Sequence, residues 1–105
     1  MAKRVFKDES IKTIVHNIAE DFRFSGEADG YALLFYRADT EGMVKGKDID
    51  EMLEYVTTGL IELKNNISWR QEFLSENAGF DEMKMLNNLK TIEEEYITLK
   101  TFLEK

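Results

Sequence analysis

The sequence predicts a helix-rich α+β fold: a helix, a two-stranded antiparallel β-hairpin, then two to three helices ending in a C-terminal helical hairpin. Three observations carry this. Two stretches, one central and one terminal, repeat apolar residues in alternating steps of four and three, the seam of an amphipathic helix. An earlier stretch shows the same kind of face over fewer turns. Between them lies the nearly continuous apolar run YALLFYRA, followed by turn residues and a short apolar return. A chain of 105 residues, 43% of them hydrophobic, makes one domain, residues 1–105, with one modest core.

Asp8 or Ser10 starts the first helix, whose core face is Ile11, Ile14, Val15, Ile18, Ala19 and Phe22. Ser25 and Gly26 end it, with Gly26 suited to the left-handed cap conformation. Tyr31 to Ala38 reads as a strand because it is aromatic-rich and apolar on both alternations. Asp39-Thr40-Glu41-Gly42 has the chemistry of a hairpin turn, and Met43 to Lys45 returns as the second strand.

The organising helix runs from Asp48, its expected N-cap, to Ile67. Its seam is Ile49, Leu53, Val56, Leu60, Leu63 and Ile67, widened by Met52. Gly59 interrupts it on paper, at a cost of about 1 kcal/mol against Ala, and its smallness suits the close approach of another element. Asn65-Asn66 and the capping pair Ser68 and Gln71 set off a short helix from Trp69 to Asn77, ended by Ala78-Gly79; one continuous helix through Ile67 is the alternative. Asp81 caps a last helix from Glu82 to about Leu103. Its seam, Met85, Leu89, Ile92, Tyr96, Leu99 and Leu103, copies the earlier spacing and suits side-by-side packing of the two.

Net charge is −7 and unevenly spread. Residues 1–47 hold eight basic and eight acidic side chains, residues 48–67 one and five, residues 68–105 five and eight. Sequence-independent nucleic-acid binding rests on cations facing phosphates, so this balance argues against a nucleic-acid partner and suits a basic protein. No run of about 18 apolar residues appears, and the basic start MAKRVFKDES lacks an apolar region behind it, so neither a membrane span nor a signal peptide is expected. With no Cys there is no thiolate site or disulfide, which fits a reducing cytoplasm.

No phosphate-binding, nucleophile-elbow or zinc-protease motif occurs, so no enzyme activity, cofactor or metal is expected. His16 with Glu20, and Asp21 beside them, is the alternative acid–base or metal edge. Asp39, Glu41, Asp48, Asp50 and Glu51 cluster near one turn, but Met43, Val44 and Lys45 break a calcium-loop pattern. Tyr31, Phe35, Tyr36, Trp69 and Phe73 are expected in the core rather than in an exposed patch.

The expected function is therefore that of a small acidic, non-enzymatic protein that binds another protein. A structural homo-oligomer and a small metal-dependent enzyme are the alternatives. The interaction residues singled out are Glu93, Glu94 and Glu95, a charge run that is either a solvated face or a mimic of phosphate charge, and Ile97 and Phe102. The last two stand outside the seam and would serve a symmetric homodimer, with Glu93, Glu95, Lys90 and Lys100 setting antiparallel pairing.

The stretch GYALLFYRADTEGMVKGKDIDEMLEYVTTGLIEL, Gly30 to Leu63, resembles a recurring type among small phage and prophage proteins of low-GC Gram-positive bacteria. There an apolar strand, a DxxG-like turn and a second strand run into an acidic-capped helix. The resemblance covers about a third of the chain. It implies an accessory protein made inside a bacterial host, a modulator or inhibitor of a host protein, and brings no catalytic residues.

Overall fold

Four helices and a two-stranded antiparallel sheet follow in the order β1 (Lys3–Val5), α1 (Glu9–Ser25), α2 (Gly30–Glu41), β2 (Met43–Lys45), α3 (Lys47–Glu76) and α4 (Phe80–Glu104). The computed structural model describes residues 3–76 and 79–105, and the side chains of these apart from 73–76, 80 and 81. The helix-rich α+β class and the C-terminal helical hairpin are as the sequence predicts.

Helix α1 forms where expected. The Asp8 carboxylate accepts from the Ser10 backbone N–H and Gly26 takes the left-handed conformation at φ 73°. These bonds from Ser10 hold the Asp8 carboxyl below its ordinary pKa. Ile11, Ile14, Val15, Ile18 and Ala19 are buried, and Phe22 lies half-buried against the core.

The predicted strand Tyr31 to Ala38 is instead helix α2, so the two strands do not form a hairpin. Local chemistry explains this. The Asp29 side chain accepts from Ala32 N–H, and Gly42 closes the other end at φ 72°. Twelve residues separate these caps, and none from Gly30 to Asp39 is β-branched, the residue type that favours a pleated strand. Ala32, Leu34, Phe35 and Ala38 are buried while Leu33 and Arg37 face outward. Gly42 therefore ends a helix rather than turning a hairpin. The partner of β2 comes from the start of the chain: Lys3, Arg4 and Val5 pair with Lys45, Val44 and Met43. Phe6, just beyond, is 1% exposed and donates its backbone N–H to the Gly42 carbonyl.

Helix α3 is one element over Lys47–Glu76, which settles the open choice in favour of continuity. Ser68 and Gln71 lie inside it and cap nothing. Asn66 Nδ2 bonds back to the Glu62 carbonyl, and burial of Ile67 outweighs the local stop signals, as tertiary packing does for weak propensities. The expected helix end at Asn77 and Ala78 lies outside the described residues. At the start, Asp48 is not the cap; it sits in the first turn and pairs with Arg37 of α2. Helix α4 begins after Gly79, which offers no side-chain cap bond, so Asp81 lies within the first turn and not before it.

The core joins Phe6, the buried faces of α1 and α2, Val44, the α3 stripe Ile49, Met52, Val56 and Leu60, and Leu99 and Leu103 of α4. Thirty residues make α3 about 45 Å long. Its distal half and the first half of α4 extend past this core as an arm in which, among the described residues, Ile67 and Leu86 are buried, in a molecule of 52 × 30 × 23 Å. Burial along the α4 seam accordingly fades toward its N-terminal end: Leu99 is enclosed, Ile92 borders on exposed and Met85 is exposed.

At Gly59 the Tyr96 ring of α4 packs tightly on α3. A Cβ placed there would stand 2.7 Å from Tyr96 Cε2 and 3.2 Å from Cδ2. Gly59→Ala would gain about 1 kcal/mol of helix propensity and cost about 1–3 kcal/mol of overpacking. We predict that Gly59→Ala lowers stability in the wild-type background and raises it by about 1 kcal/mol when Tyr96 is first changed to Ala. Urea unfolding of the four proteins measures this; the same effect in both backgrounds would remove the close approach from the account.

Candidate functional site

A trough of about 490 Å³ opens beside the Gly59 contact, within the range of ligand-binding clefts. Each wall is one face of a helix. Ile14, Asn17, Ile18 and Asp21 come from α1; Tyr55, Thr58, Gly59, Glu62, Leu63 and Asn66 from α3; Ile92, Glu95 and Tyr96 from α4; Tyr31 of α2 closes one end. Spacings of three and four residues keep each set on one side of its helix.

Tyr55 is the hub of this end. Its ring centroid lies 5.6 Å from Phe22, 5.3 Å from Tyr31, 5.1 Å from Phe35 and 6.2 Å from Tyr96. Tilted and edge-on rings at such distances attract beyond their area burial. The Tyr55 and Tyr96 hydroxyls stand 3.5 Å apart. Burial, and then the bond between them, pushes the Tyr96 hydroxyl far above its ordinary pKa; burial also raises Tyr55. Both phenols therefore stay protonated across the physiological range, as hydrogen-bond donors rather than bases. The rim is acidic, with Asp21, Glu62 and Glu95 contributed by three different helices and no Lys, Arg or His in the lining.

Of the residues singled out in the acidic run, only Glu95 lines this trough. Glu94 is exposed beside a shallower groove between α1 and α4, and Glu93 is half-buried, because consecutive helical positions face about 100° apart. The three do not form one patch. Ile97 is exposed, as expected, at the edge of a cleft with Val5 and Ile11. Phe102 is half-buried: its ring packs on Phe6 at 5.8 Å against the core, and it lines the same cleft as Ile97. Phe35, Tyr31 and Tyr36 belong to or flank the core as expected, whereas Trp69 is 60% exposed. The Phe73 side chain lies outside the described residues.

His16 pairs with a residue that sequence spacing did not suggest. Its Nδ1 is 3.2 Å from each Asp39 carboxylate oxygen, and Nε2 is 4.0 Å from Glu20. Arg23 bonds both Glu20 and Asp39, and the Glu20 bond leads the rise in its pKa. Asp39 thus ties α1 to α2. Both imidazole nitrogens face carboxylates, an arrangement that clamps two helices. Asp21 points to the trough instead. Among the described residues no group of three or more His, Asp or Glu could hold a metal ion. Asp48 is likewise taken up by Arg37.

Phe102 and Ile97 line one cleft, but the Phe102 ring is half-buried against Phe6 while Ile97 is exposed, so the two should respond differently to charge. Phe102→Glu should cost about 3–5 kcal/mol or unfold the chain, while Ile97→Glu should change stability by less than about 1 kcal/mol; denaturant titration separates them, and equal effects would misplace Phe102. A second prediction concerns pH. The unfolded chain releases its tyrosine protons near pH 10 while folded Tyr96 retains its own, so stability is present below about pH 10 and lost above it. Tyr96→Phe should then lose less stability than wild type between about pH 10 and 12. Identical losses would show that Tyr96 is not shielded from water.

No protein-family model matches the chain, and neither does any curated protein or solved structure.

Proposed function

We propose that the chain is a small non-enzymatic accessory protein that acts inside the cell by binding another protein, as a modulator or inhibitor of a host protein if phage-encoded. One observation carries this reading: an open trough walled by three helices, apolar at its floor and acidic at its rim, on a chain of net charge −7. Protonated phenols and rim carboxylates supply recognition groups for a protein surface and ask for no cofactor. The acidity of the trough repels phosphate backbones. No helix among the described residues is long and apolar enough to cross a membrane.

Self-assembly is the second reading. It is favoured by Met83, Met85, Ile92 and Ile97, all exposed along α4. Phe102, half-buried against the core beside Ile97, offers such a contact part of its ring only.

Photo-crosslinking tests the first reading. A benzophenone amino acid replaces Thr58 in the trough or, as control, Lys45 on the sheet. The trough probe should yield one discrete heterologous adduct in cells and the Lys45 probe none. Equal labelling from both positions would sink the proposal, and an adduct of twice the chain's mass would favour self-assembly.

A further inference from the structure

Building on the protein-binding reading, we infer that the trough seats one basic amphipathic helix, about three turns long, from a different protein. The α3 wall runs from Tyr55 to Asn66, twelve residues spanning eleven steps, or about 16 Å at 1.5 Å per residue. That length matches about three helical turns. The walls are side-chain faces of helices, whose backbone N–H and C=O groups are already paired along the helix, so the trough offers no strand edge for an extended peptide to extend. A partner helix laying apolar residues at i, i+3 or i+4 and i+7 onto Leu63, Ile92 and Tyr96 would meet the floor.

Charge fixes the flanks and the source. Asp21, Glu62 and Glu95 stand on three helices around the trough with no basic residue among the lining. Lys or Arg on both shoulders of the incoming helix would find carboxylates on either side within a screening length of about 10 Å. A second copy of this chain does not fit that demand, because each of its four helices carries more acidic than basic residues. Its basic stretch Lys3 to Val5 is held in the sheet against Met43–Lys45.

The test uses the full chain and three labelled peptides. One is an amphipathic Leu/Lys peptide of about four turns, one has every Lys replaced by Glu, and one scrambles the Leu/Lys order. Fluorescence anisotropy gives affinity, and amide shifts of the ¹⁵N-labelled protein give location. The Leu/Lys helix should bind roughly tenfold or more tightly than either control, and its shifts should fall on the Ile14–Asp21, Tyr55–Asn66 and Ile92–Tyr96 faces. Asp21→Lys with Glu62→Lys, both exposed and therefore compatible with folding as checked by circular dichroism, should weaken it by roughly tenfold or more. Equal binding of the scrambled peptide reduces the trough to bulk charge and overturns the inference. So do shifts that fall elsewhere, or an unchanged affinity in the charge-reversed protein. If the Thr58 probe still captures a partner but the adduct maps to an acidic or extended segment, the basic helix falls while protein binding stands. If the probe labels no more than its control, both fall.

Discussion

Where α3 and α4 approach, the absent side chain of Gly59 leaves room for the Tyr96 ring, and much of the geometry follows from that contact. With the ring against α3, the Tyr96 hydroxyl reaches Tyr55, and Tyr55 meets Phe22 of α1 and Tyr31 and Phe35 of α2. A larger residue at position 59 would push the ring toward the space that is now the trough. The helical hairpin, the aromatic hub and the trough are in this sense one feature. The propensity cost of a mid-helix glycine, about 1 kcal/mol, is small against what this packing contributes.

Two forces divide the rest of the molecule. Near the sheet, apolar side chains of the four helices, Phe6 and Val44 enclose one another, and Ile49 and Val56 of α3 and Leu99 and Leu103 of α4 are buried among them. Along the arm, among the described residues, Met83, Met85 and Trp69 are exposed. The trough lies at the junction, where α1 covers part of the α3–α4 pair and then stops. An incoming helix would continue the layer that α1 begins, extending burial at about 25 cal/mol per Å² of apolar surface.

The long periodic elements were legible in the sequence because their signal is repeated. Ile11, Ile14, Val15, Ile18 and Ala19 of the α1 face, Ile49, Val56, Leu60 and Ile67 of the α3 stripe, and the Leu99–Leu103 end of α4 are buried as the spacing implied, with Phe22, Leu53 and Leu63 half-buried. So was the role of Gly59, since a residue without a side chain amid a strong helical stripe points to a neighbour packed closely against it. The segment Tyr31 to Ala38 misled because an apolar run of eight residues suits a buried strand and a buried helix alike. The deciding signals lay in its frame: Asp29 before it, Gly42 after it, and no β-branched residue between Gly30 and Asp39. Strand β1 could not be found locally, because three residues become a strand only through a partner about forty positions away. The trough was hidden for a related reason. Asp21, Tyr55, Glu62 and Glu95 belong to three helices, and their convergence depends on helix packing that no single window contains. A hint existed in α3 itself, where Tyr55, Gly59, Glu62 and Asn66 form a second stripe beside the apolar seam.

The Gly59–Tyr96 contact can be observed directly by nuclear Overhauser spectroscopy on the native chain. Strong cross-peaks between the Gly59 Hα protons and the Tyr96 ring, with weaker ones from that ring to Tyr55, are the predicted result. A Tyr96 ring with no cross-peak to Gly59 would contradict the helix approach on which the hub and the trough both depend.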